Sequence, residues 1–126
     1  MNLIKLVSFS AGLIFASTSM AQQYQFVAMD NSLETKLCVK AGNDDAKGVK
    51  RVIRQLGVKE RRQHINNIAC NDMSAAKFAF KYQATNTFEY LNRLSYGVNK
   101  VNPSVTIKDV ANKTAKPKVI YVSTAN

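Results

Sequence analysis

Three kinds of side chain in this 126-residue sequence could do chemistry: two cysteines, Cys38 and Cys70, one histidine, His64, and a dense run of cations across residues 46–62. Two cysteines allow one pairing. In an oxidising compartment an even count reads as a disulfide, whereas redox chemistry by free thiols would call for a C-x-x-C spacing that is missing here. His64 has no second histidine to share a metal, and cysteines engaged with each other supply no ligands. General acid or base work would need a nucleophile or carboxylate held beside it, which the spacing does not announce. Glu34, Asp44 and Asp45 read as helix caps and dipole partners. The sequence therefore outlines no reaction, no cofactor and no metal site, and the chain is read as a non-enzyme.

The cations are the remaining candidates. Lys47, Lys50, Arg51, Arg54, Lys59, Arg61 and Arg62 face a single acid, Glu60, within that stretch. The ordinary account is a solvated helix back. The sharper account is an anion-binding surface for lipid, glycan or nucleic-acid phosphates, with binding that weakens steeply in salt. Sequence-specific DNA reading is not expected. A helix-turn-helix around Gly57 would need a small residue at position 53 and apolar ones at 63 and 66, where Ile53, Gln63 and Asn66 stand.

Residues 1–21 carry Lys5, an apolar run over 6–16 and small residues ending Ser19-Met20-Ala21, the pattern of a secretory signal peptide cleaved before Gln22. The run is about half the roughly 20 residues that span a bilayer, so no transmembrane anchor is expected. A periplasmic or secreted protein follows. Its 105 remaining residues keep 17 basic and 8 acidic side chains, a net charge of +9 that favours anionic partners.

The elements that must position these groups are mostly helical. In "DNSLETKLCVKAG", Asn31 and Glu34 fit a capping box, Gly42 a left-handed C-cap, and Leu33, Leu37, Cys38 and Ala41 share one face. "NDDAKGVKRVIRQLG" repeats the grammar, with Val49, Val52, Ile53 and Leu56 as an apolar stripe opposite the lysines and arginines and Gly57 as its stop. The two should form an antiparallel hairpin. A third helix is expected from near Lys59, turning Ile65, Ile68 and Ala69 inward and ending at Cys70. A fourth is capped by Asn71 or Asp72 and buries Phe78, Ala79 and Tyr82. A fifth has Asn86 and Glu89 as its capping box, with Phe88, Leu91, and Tyr90 or Leu94 as anchors. Beyond Tyr96, Gly97, Pro103 and Pro117 interrupt the pattern, and "VTI" and "VIYV" read as short strands that pair with each other or with the early "YQFVA".

The fold class is thus mainly α: a small disulfide-linked domain of about five short helices over residues 22–95, followed by a basic C-terminal extension, 96–126, with room for short strands. Its expected function is that of a non-catalytic binding module for an anionic envelope component. A modulator or inhibitor of an envelope protein, or a small hydrolase, is the alternative.

The stretches "FVAMDNSLETKLCVKAG" and "INNIACNDMSAAKFAFKY" resemble a family of small exported bacterial proteins catalogued as a domain of unknown function, through Cys38, Cys70, Asn71 and Asp72. The resemblance spans residues 24–90 and implies one small helical domain without an assigned activity. Residues 38–57 are also similar to one ankyrin-type helix pair in Val49, Val52, Ile53 and Gly57. A single copy cannot stack into a solenoid, so that likeness is one of hairpin geometry.

Overall fold

The computed structural model describes residues 23–57, 60–102 and 117–124, and the expected signal peptide and the "VTI" segment lie outside them. The order of elements is β1 (Tyr24–Ala28), α1 (Leu33–Gly42), α2 (Ala46–Gln55), α3 (Arg61–Asn67), β2 (Ala69–Cys70), β3 (Met73–Ser74), α4 (Ala75–Lys81), α5 (Thr85–Leu94), a 3₁₀ turn at Gly97–Asn99, and β4 (Lys118–Val122). The described residues form a mainly α domain of five helices with short strands. One core runs through it, built on Leu37, Val49, Ile53, Ile65, Phe78, Leu91 and Val122.

Helix α2 follows directly from its sequence. Its apolar stripe buries Val49, Val52 and Ile53, Asp45 caps its start by accepting from the Gly48 N–H at 2.8 Å, and Gly57 ends it at φ 64°. An L side chain at that φ would be strained, which is why glycine stands there. Helices α1 and α2 pack against each other across the short connection.

Four local readings are corrected. Helix α1 is capped by Ser32 rather than Asn31: the Ser32 hydroxyl accepts from the Thr35 N–H at 3.2 Å, the side-chain position that meets the third helical amide. Gly42 is the last residue of the helix and not a left-handed cap. The Phe26 ring lies so close that a Cβ at Gly42 would sit 2.7 Å from it, so close approach of β1 is what requires the glycine. Cys70 is not at a helix end, because α3 stops at Asn67 and Cys70 belongs to β2. Asn71 and Asp72 do not cap α4. They have φ of 45° and 66° and form the two-residue turn of the β2–β3 hairpin, a conformation Asn and Asp tolerate better than other non-glycine residues, and Ser74 is the cap instead.

Helix α5 shows a fifth difference. The expected Asn86 and Glu89 box does not form; the N-cap is Ala84, with no side-chain cap of its own. Asp44, held at φ 58°, reaches from the α1–α2 connection and accepts the Thr87 N–H on Oδ1 and the Asn86 amide on Oδ2, both at 2.9 Å. A cap supplied from 43 residues upstream thus stands in for a local one.

The disulfide joins Cys38 and Cys70 with their Cα atoms 5.6 Å apart, and both are fully buried. It fixes the middle of α1 to the segment after α3. The strand over 118–122 pairs with β1 in parallel, Tyr24 opposite Lys118 and Ala28 opposite Val122, so of the anticipated pairings the one with "YQFVA" forms. Phe26 stacks among Phe78 and Tyr82 with ring centroids 5.0–5.7 Å apart, and Val122 is wholly buried. Burial raises the Tyr82 phenol above its ordinary pKa, with the neighbouring Tyr24 adding to the effect. The far end of the basic C-terminal segment is therefore part of the core.

Candidate anion-binding surface

Because α2 commits Val49, Val52 and Ile53 to the core, residues 47, 50, 51 and 54 must share its opposite side. Lys47, Lys50, Arg51 and Arg54 are all exposed. Asp45, the acid that starts α2, is already engaged: the Gly48 N–H holds its carboxyl below the usual range, with Lys40, 3.3 Å away, and the Arg51 charge contributing. It caps the helix and leaves the stripe's charge largely in place.

Arg61 and Arg62 are exposed on the first turn of α3, whereas Lys59 lies outside the described residues. The two groups of cations sit on different helices, and each helix packs against α5. Lys50 Nζ lies 5.0 Å from the centre of the Tyr90 ring on α5, and the Arg62 guanidinium lies 5.4 Å from that of Tyr96 just beyond it. Such cation–aromatic contacts steer a flexible side chain without neutralising its charge. Among the described residues, none of Lys47, Lys50, Arg51, Arg54, Arg61 and Arg62 comes within 4.0 Å of a carboxylate oxygen.

Arg62 continues into a polar scaffold. Asn66, one turn on, donates to the Arg62 and Leu94 carbonyls and accepts the Tyr96 N–H at 3.1 Å, while Asn99 donates to its carbonyl and side-chain oxygens. Asn92 accepts the Val101 N–H at 2.8 Å and donates to the Val101 carbonyl. The chain from Ser95 to Val101 is thereby tied to α3 and α5. No feature of the sequence marks these asparagines, since each bonds residues brought near by the fold.

A second polar region surrounds His64. A groove of about 590 Å³ is lined by Asp30, Ser32, Glu34, His64, Asn67 and Thr124 among others. His64 Nε2 lies 3.9 Å from Glu34 Oε1 and has no hydrogen-bond partner among the described residues. Hydrogen bonds from the Ser32 hydroxyl at 2.6 Å and from its backbone N–H hold the Asp30 carboxyl below its ordinary range. Ser32 thus spends its hydroxyl on the start of α1, and among the described residues no hydroxyl is hydrogen-bonded to His64 Nε2. Among the described residues no three of the His, Cys, Asp and Glu side chains gather to hold a metal ion, and no helix is long and apolar enough to cross a membrane.

Fold and surface together define a small disulfide-linked helical domain with exposed cations on α2 and α3, in which Asp44 and Asp45 are engaged at helix starts. The chain belongs to DUF3718, a family of proteins of unknown function, whose match covers residues 37–112. That match starts within α1, takes in the cationic helices and Cys70, and continues past the stretch 24–90 into the basic segment. No curated protein and no solved structure matches the chain.

Proposed function

We propose that this protein is exported and serves as a non-catalytic binding module for an anionic component of the cell envelope, using the cations of α2 and α3. One observation carries the reading: six exposed basic side chains stand on helices whose other sides are locked into the core, and none has a carboxylate within ion-pair distance among the described residues. Cations left in water on a fixed backbone are available to phosphate or sulfate groups without first breaking an internal pair. The buried Cys38–Cys70 disulfide supports an oxidising compartment, and so does the leader pattern of residues 1–21.

The test is retention on immobilised heparin. The parent protein should elute at a salt concentration that falls sharply when Arg51, Arg54 and Arg62 are changed together to Glu. Unchanged retention would assign the stripe to solvation alone. The hydrolase alternative would have to use the groove at His64. Robust turnover on a broad substrate panel, lost on His64→Ala, would displace the binding reading.

A further inference from the structure

We propose that the partner is an anionic phospholipid bilayer, docked through the tip formed by Tyr96 and Val98 and the cations around it; this rests on the anion-binding reading above. Val98 is 84% exposed and Tyr96 46%, in a segment that is otherwise well bonded. Gly97, at φ 59°, turns the chain between them. A flexible loop would present an apolar side chain only part of the time. Here Asn66 and Asn99 on one side and Asn92 on the other fix the backbone, and the Ser74 hydroxyl donates to the Asn99 carbonyl at 2.8 Å. Val98 is held out in water by a scaffold built of hydrogen bonds.

The surroundings select the occupant by charge. Arg62 lies against the Tyr96 ring, and Arg93 and Lys100 line a cavity of about 360 Å³ near the tip, with Phe88, Asn92 and one acid, Glu89, in its wall. An aliphatic tip with three cations near it, Arg62, Arg93 and Lys100, against the one acid Glu89 matches an anionic membrane surface: the phosphates meet the basic side chains while the valine passes below them. Tyrosine suits the boundary because its ring is apolar and its hydroxyl stays hydrated. A glycan or a nucleic acid would use the same cations but gives an isolated valine no hydrocarbon to enter.

The experiment uses the mature, disulfide-bonded chain, vesicles of phosphatidylglycerol mixed equally with phosphatidylcholine, vesicles of phosphatidylcholine alone, and the heparin column. The parent should bind the anionic vesicles and bind the neutral ones poorly. Val98→Ser, a neutral change at a surface position that the fold does not need, should lower vesicle affinity about tenfold or more while its heparin elution stays where it was. The chain contains no tryptophan, so Tyr96→Trp places a sole indole at the tip, and its emission should shift to the blue on anionic vesicles alone. Heparin retention with vesicle binding unaffected by Val98→Ser, or with an unmoved indole spectrum, would overturn the bilayer proposal and leave anion binding standing. Loss of both heparin and vesicle binding in the parent protein would overturn both.

Discussion

Asp44 offers the sharpest test of how this fold is held, because one side chain combines a strained backbone with a long-range cap. Its carboxylate takes the Thr87 N–H and the Asn86 amide at 2.9 Å each, at the start of a helix that has no cap of its own. Removing a helix cap costs about 0.5–2 kcal/mol. Placing alanine in the left-handed conformation adds about 1 kcal/mol, since Asp adopts it more readily. Asp44→Ala should therefore destabilise by about 1.5–3 kcal/mol. Asp44→Gly loses the same bonds but sits comfortably at φ 58°, and should cost about 1 kcal/mol less than the alanine change. Equilibrium urea denaturation of the oxidised protein measures both, with a midpoint displacement on the order of 1 M for alanine. Asn86→Ala in the Asp44→Ala background should add little, because the partner is already gone. A loss below about 0.5 kcal/mol for alanine, or a glycine variant no better than alanine, would refute this account of α5.

Two further outcomes follow from the buried sulfurs and the acid at α2. The paired change Cys38→Ala and Cys70→Ala opens a link across 32 positions, worth about 3.7 kcal/mol in the chain-entropy treatment. Thermal melting should fall by roughly 15–20 °C, and a shift of only a degree or two would mean the link constrains little. Asp45 has its acidity strengthened by the Gly48 N–H, so its contribution is present above about pH 3.9 and is lost as pH falls through the lower folded value. Asp45→Asn should flatten the fall in stability below about pH 4, and an acid limb identical to that of the parent protein would show that other carboxylates govern it.

The parts legible from sequence are those whose causes are local. The stripe of Val49, Val52 and Ile53 needs only the helical period, and Gly57 needs only a chain that must turn left-handed. Two cysteines had a single way to pair. What escaped depends on contacts between distant residues. Asn31 and Ser32 are both good caps, and the choice rests on which oxygen reaches the third amide. Asn71 and Asp72 suit a hairpin turn as well as a helix start, and the pairing of Cys70 with Met73 decides between them. Gly42 is explained by a phenylalanine from β1. At the candidate surface the cations themselves were evident, but Tyr96 and Val98 were not, because their exposure is imposed by Asn66, Asn92 and Asn99 from three separate stretches. The cap from Asp44 to α5 was hidden for the same reason.

The pairing of β1 with β4 sets a schedule for the chain's maturation. Tyr24 finds its neighbour at Lys118, beyond all five described helices, so a polypeptide emerging amino end first holds Phe26 without its sheet partner until those helices have appeared. Contacts of such long reach form late and slowly. Helices α1 and α2 can meet early, yet the unit closes only when Val122 arrives. Until then the polypeptide lacks its final clasp, and truncation ahead of Lys118 would strip β1 of the strand that holds it.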